Sequence, residues 1–234
     1  RMRRVACTPF IIGIFKSIST KSGDNFSTFS SAFQEIDDLV TQYRQVRITQ
    51  HLLLYGQSGA GKTTLCQTLM EKYPRFDVPE RDIVPVLCVS VPSAPTPDSV
   101  TQAMLFMLGD PGPSRGDPKD KFARVRKLIK GCGVELLLLD EAQHMYDRGQ
   151  QKTQYMVADW LKSLIEATKV PTVLLGLPRV EQLLQVNEQL RRRFTPRIDM
   201  ALGQNPDMPI EKECLQLLTS LAPALPVSLT PGKY

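Results

Sequence analysis

The sequence predicts an α/β fold, a mostly parallel sheet covered by helices on both faces, and three observations carry that expectation. Short apolar runs of strand length alternate with amphipathic segments of helix length, the pattern of strands joined by helical crossovers. A glycine-rich stretch, GQSGAGKT over residues 56–63, stands between an apolar run and a helical segment. A second apolar run, LLLLDE over residues 136–141, ends in two carboxylates for which packing gives no reason.

Composition sets the frame. At 234 residues and 42% hydrophobic content, the chain can bury one sizeable core with a small lobe beside it. Its longest apolar stretches, PFIIGIF and VELLLL, fall far short of the roughly 18 residues a membrane helix needs, so a soluble protein with no membrane partner is expected. RMRR followed by a short apolar patch only faintly imitates a secretory signal, and no small-residue cleavage site follows it. Five scattered cysteines suit reduced thiols in a cytoplasmic compartment, and two isolated histidines offer no transition-metal spacing. A net charge of +5 permits an acidic polymer as partner without requiring one.

Taken in order, residues 1–45 read as an N-terminal extension. KSISTKSGDNFSTFSS is loop-like, and SAFQEIDDLV places Phe33, Ile36, Leu39 and Val40 at helical spacing behind a serine N-cap. Residues 46–200 read as a nucleotide-binding core. HLLLY, PVLCVSV, VELLLLD and PTVLLG are its strands. Between them run a helix from KTTLCQTLMEKY, and a second with Thr96 as N-cap, Pro97 at its first position and Gly109 as its stop. A third helix buries Phe122, Val125, Leu128 and Ile129 and is ended by Gly131; a fourth carries the stripe Met156, Val157, Trp160, Leu161, Leu164 and Ile165. PRIDMALG offers a last strand, and residues 201–234 read as a partial helical lid or tail.

The chemistry is concentrated in few places. In G-x-x-x-x-G-K-[ST], glycines let the backbone curl so that successive N–H groups aim at phosphate oxygens, Lys62 adds a point charge, and Thr63 offers a hydroxyl to Mg2+. The candidate nucleotide-binding residues are therefore Gly56, Gln57, Ser58, Gly59, Ala60, Gly61, Lys62, Thr63 and Thr64. Asp140 would hold Mg2+ and Glu141 would orient or deprotonate the attacking water. No N-K-x-D motif for guanine occurs, so ATP is the expected nucleotide. NEQLRRRF concentrates Arg191, Arg192 and Arg193; one of them could meet the γ-phosphate bound by a neighbouring subunit, which makes an oligomer the active form.

GQSGAGKT, DEAQHMYD, VADWLKSLIEATKVPTVLLGLP and NEQLRRRF together resemble the TniB and TnsC group of AAA+ transposition ATPases. The resemblance implies an AAA+ P-loop NTPase fold with a small or truncated C-terminal helical lid. It implies a bacterial, DNA-associated protein that uses ATP to assemble as a ring or helical filament on double-stranded DNA. It also implies recruitment of a DDE transposase of the TniA or TnsB type and a link to a TniQ-type target selector, as in CRISPR-associated transposons. By position, Lys62 and Thr63 match Walker A, Asp140 and Glu141 match Walker B, and Arg193 matches the arginine finger best, with Arg191 and Arg192 as substitutes. Two departures point to slow or partner-dependent hydrolysis: the sensor 1 position holds Gly176, without a polar side chain, and no arginine follows Arg197, so a sensor 2 arginine is missing or lies beyond residue 234.

In proteins this chain resembles, the segment entering the third helix approaches the phosphate backbone, which nominates Arg115, Lys119 and Lys121 as DNA contacts. Such contacts position without reading bases. Two other readings share the core motifs, a nucleotide-stabilised scaffold with little turnover and a helicase or clamp loader.

Overall fold

The computed structural model describes residues 28–147, 151–201 and 209–212, and side chains at 151 and 152 are not considered. Residues 32–200 form one compact unit. Its main sheet has five strands: β1 (His51–Tyr55), β4 (Val86–Ser90), β5 (Leu136–Asp140), β6 (Thr172–Gly176) and β7 (Arg197–Asp199). The spatial order is β4-β5-β6-β1-β7, with every neighbouring pair parallel. β5 and β6 are buried along their whole length, which is why both read as unbroken apolar runs.

The helices follow their local signals. α1 (Thr28–Val46) buries Ala32, Ile36, Leu39 and Val40. It already runs at Thr28, so the serines expected to cap it lie inside the helix. α2 (Lys62–Lys72) follows the glycine-rich loop. α3 (Pro97–Met107) has the expected Thr96 cap, completed as a capping box by Ser99. α4 (Pro118–Gly131) is capped by Asp117, whose side chain accepts from the Asp120 N–H. Its stop is not Gly131, which is the last helical residue, but Gly133, at φ 65°. A short α5 (His144–Asp147) precedes α6 (Gln151–Thr168), where Val157, Leu161, Leu164 and Ile165 are buried as expected. Met156 is 52% exposed and leaves that stripe.

Between α2 and β4 a hairpin of β2 (Phe76–Val78) and β3 (Arg81–Ile83) interrupts the alternation. After β6 a turn at Pro178–Val180 leads into α7 (Glu181–Val186) and α8 (Glu188–Arg193), the latter capped by Asn187. The expected lid falls on residues 201–234, of which only Ala201 and the helical residues around Ile210–Lys212 are described. No helix among the described residues is long and apolar enough to cross a membrane.

Candidate functional site

β1 delivers the chain to the glycine-rich loop at the C-terminal edge of the sheet. The Gly56 N–H donates to the Gly176 carbonyl at 3.1 Å, so the loop springs from two adjacent strands. Gly59 and Gly61 sit at φ 85° and 87°, left-handed values that side chains disfavour. A β-carbon at Gly59 would touch nothing within 4 Å, so conformation rather than space requires glycine there. Gly61 caps α2 without any side-chain bond, which leaves the first-turn N–H groups open to an anion. Gln57, Ser58, Gly59 and Thr63 are exposed, and Ala60, Gly61 and Thr64 are half-buried around them.

Lys62 folds back across this loop. Its Nζ donates to the carbonyls of Gly56 at 2.7 Å and Gln57 at 2.8 Å, which stand where phosphate oxygens would be welcome. Burial pushes its pKa down, against the pull of Asp140 and Glu141.

Asp140 ends β5, 8% exposed. Burial raises its pKa, although the Glu141 N–H donates to Oδ1 at 2.8 Å. Oδ2 lies 3.4 Å from the Thr63 hydroxyl. A carboxylate and a hydroxyl converging beside a phosphate loop are hard oxygen donors, the set that Mg2+ takes together with phosphate and water. The residues present therefore fit a magnesium nucleotide. No group of three or more His, Cys, Asp or Glu side chains placed to hold a metal ion exists among the described residues.

Glu141 turns sharply out of β5 at φ 59°, a left-handed conformation that costs a non-glycine residue about 1–2 kcal/mol. Its carboxylate accepts from Gln143 Nε2 at 2.6 Å, and His144 Nε2 lies 3.6 Å away. Gln143 is buried, and its Oε1 accepts from the Leu177 N–H at 3.0 Å. The expectation that the end of β6 lacks a polar side chain holds for Gly176 itself, but the place is filled by Gln143 from the neighbouring strand end. Sequence reading quoted this glutamine within DEAQH without giving it a role. The one available signal was the glycine across from it.

The arginines lie elsewhere. The end of α8 packs at the opposite, N-terminal edge of the sheet, where Phe194 meets the His51 ring at 5.4 Å between centroids. Arg192 pairs with Glu188 of its own helix at 2.7 Å, and Arg191 lies 3.9 Å from the same carboxylate. Arg193 instead reaches Glu166 of α6 at 2.7 Å and borders a cavity of about 480 Å³ with Thr49, Gln50, His51, Thr195 and Pro196. His51 is buried, its Nδ1 has no hydrogen-bond partner, and burial together with the Arg193 charge lowers its pKa to about 4.

Of the three cations nominated for DNA, Arg115, in the loop before α4, and Lys119, in its first turn, are exposed. Lys121 is not: it is 5% exposed, and its Nζ donates to both Asp98 oxygens, at 2.9 and 3.0 Å. This pair ties the start of α4 to the start of α3, which removes Lys121 from any DNA-facing surface. The spacing carried a signal: Lys121 stands four residues before Val125 and eight before Ile129, on the face that the helix buries.

Comparison with known structures finds similarity to the Aeropyrum pernix ORC2 protein in its ADPNP-ADP form, at 14% identity and a TM-score of 0.59, over 86% of this chain and 54% of that one. The Aeropyrum pernix ORC1 protein in complex with DNA matches at 15% identity and a TM-score of 0.52, over 83% of this chain and 51% of that one. A replication initiator DnaA bound to AMPPCP and single-stranded DNA matches at 19% identity and 0.50, over 84% and 53%. The chain thus spans about half the length of these proteins, and the likeness establishes the fold as AAA+. No curated protein gives a significant match. A family model described as "Bacterial TniB protein" matches residues 17–200, well over half of the sequence, and the chain belongs to the TniB family.

Proposed function

We propose that this protein is an ATP-dependent, oligomeric regulator of transposition that assembles on double-stranded DNA and recruits a DDE transposase, linking it to a TniQ-type target selector. Family membership supports the transposition role. The site supports the ATPase chemistry, and one observation carries its oligomeric form: Arg193 sits at the wrong end of β1 for its own phosphate loop. From His51 to Tyr55 the strand climbs roughly 13 Å, more than one arginine side chain spans. A phosphate met by Arg193 therefore belongs to another copy of the chain.

Each residue then has a task. The α2 N-terminus and the loop N–H groups bind phosphate, and Lys62 exchanges its two carbonyl partners for phosphate oxygens. Thr63 and Asp140 hold Mg2+, which when bound neutralises phosphate charge. Glu141 orients and deprotonates the attacking water. Arg193 of the next subunit stabilises charge on the transferring phosphoryl group, a contribution of about 10³-fold or more where such fingers have been removed. Arg115 and Lys119 touch the DNA backbone, so affinity falls steeply with salt and depends little on sequence.

The test is to image the protein with duplex DNA and ATP, a slowly hydrolysed analogue, or ADP. Rings or filaments with ATP that are lost with ADP, and that disassemble on adding a transposase of this class, are expected. Assemblies indifferent to nucleotide, or single rings that load a helicase, contradict the proposal.

A further inference from the structure

Gly176 has a geometric reason to be glycine. A β-carbon there would lie 2.5 Å from Gln143 Oε1, closer than such atoms approach, and 3.1 Å from the Gln143 backbone nitrogen, a tight contact. Gln143, 2% exposed, spends both ends of its carboxamide on defined partners. Oε1 accepts from the Leu177 N–H at 3.0 Å, and Nε2 donates to Glu141 Oε2 at 2.6 Å. Reversing the amide would set donor against donor and acceptor against acceptor, so these partners fix its orientation. His144, at 3.6 Å, is outside hydrogen-bond distance, which leaves the glutamine as the group that holds the Glu141 carboxylate.

That hold matters because the backbone beneath it is strained. Glu141 occupies φ 59°, and the turn is stapled to β6 by the Ala142 N–H donating to the Leu175 carbonyl at 2.8 Å. The same strand end accepts the Gly56 N–H, the first residue of the phosphate loop, at Gly176. Gln143 therefore stands between the carboxylate, the strand end beside the phosphate loop, and Leu177, where the segment leading to Arg193 begins.

We infer that Gln143 is the positioning residue for Glu141 in ATP hydrolysis, supplying from the turn after β5 the polar group that the glycine ending β6 does not. The inference rests on the ATPase reading above. A β-carbon at 176 and the Gln143 carboxamide cannot both keep these positions, so residue 143 carries the polar group only while residue 176 stays glycine.

The experiment measures turnover with duplex DNA and, separately, nucleotide affinity and thermal stability. Gln143→Ala is expected to lower kcat at least tenfold while the Kd for ATP changes less than about twofold. Gly176→Ala, whose β-carbon would displace the Gln143 carboxamide, is expected to lose turnover in the same way while the Kd for ATP changes less than about twofold. Where Gln143→Ala proves insoluble, Gln143→Glu keeps the shape but sets a carboxylate against Glu141, and the same kcat loss is expected. A Gln143→Ala protein with wild-type kcat overturns the inference, as does one whose kcat falls only in step with affinity and Tm. A wild type that binds ATP and releases no phosphate overturns the ATPase reading and this inference with it; a turning-over wild type with an indifferent Gln143 overturns this inference alone.

Discussion

The two ends of β1 are built by opposite rules. At its C-terminal end, uncapped N–H groups, a lysine bonded to its own loop carbonyls, and a buried carboxylate facing a hydroxyl converge on one place. At its N-terminal end an arginine is satisfied by Glu166, and a histidine is buried with an unpartnered nitrogen. A strand's length separates the two ends, so if Arg193 meets a phosphate, as proposed, one chain carries both halves of a reaction centre that it cannot use on itself.

The sharpest way to break this division is Arg193→Ala. Turnover is expected to fall about 10³-fold while nucleotide binding by the dilute protein stays within twofold. Arg191→Ala and Arg192→Ala, which disturb only the Glu188 pairs, are expected to cost far less. Phosphate-release assays against nucleotide titrations separate the cases.

The second effect concerns His51 and has a sign. Its folded pKa, about 4, lies below the ordinary 6.5, so the fold disfavours the charged ring. Stability from this group is present above pH 6.5 and lost as pH falls towards 4. Urea unfolding at pH 7.5 and 4.5 is expected to show a loss smaller by about 2–3 kcal/mol in His51→Phe than in wild type. An equal loss in both would remove His51 as the cause.

Next come the cations in and just before α4, which divide by environment. Reversing Arg115 and Lys119 to glutamate is expected to weaken duplex binding about tenfold at low salt and leave Tm unchanged. Lys121→Met is expected to do the reverse: about 1–2 kcal/mol of stability lost with its Asp98 pair, and little change in the salt dependence of binding. Lys121 also holds the Asp98 carboxyl below its usual pKa, so this contribution fades in acid as Asp98 protonates.

The smallest effect belongs to Glu166. Its pair with Arg193 is partly exposed, worth about 0–1 kcal/mol. Glu166→Ala frees the arginine and is expected to change DNA-stimulated turnover no more than fivefold, upward. A large loss would mean that Glu166 orients Arg193 for its task.

Much of the fold was legible because β5 and β6, buried along their length, write themselves as apolar runs, and Thr96-Pro97 writes a helix start. The phosphate loop was legible because its glycines answer to backbone conformation, which one sequence displays directly. The hairpin at 76–83 was missed because strands of three mostly exposed residues carry almost no hydrophobic period. Lys121 was misread although its register with Val125 and Ile129 places it on the buried face, with Asp98 as the partner that spacing does not name; Gln143 was left without a role because its burial is decided by Leu177, far off in sequence. Periodicity reports which face a residue occupies, not who waits there.

The central claim, that the reaction centre is divided between copies, is tested most directly by mixing two inactive proteins. Lys62→Ala keeps Arg193 but loses the phosphate loop's cation, and Arg193→Ala keeps the loop but loses the arginine. In equimolar mixture on duplex DNA, some interfaces pair the intact loop of one with the intact arginine of the other. ATP turnover of the mixture well above the sum of the two separate proteins, approaching a quarter of wild type if copies mix at random, is the expected result. A mixture no more active than its two components, although both enter the same assemblies, would contradict the account.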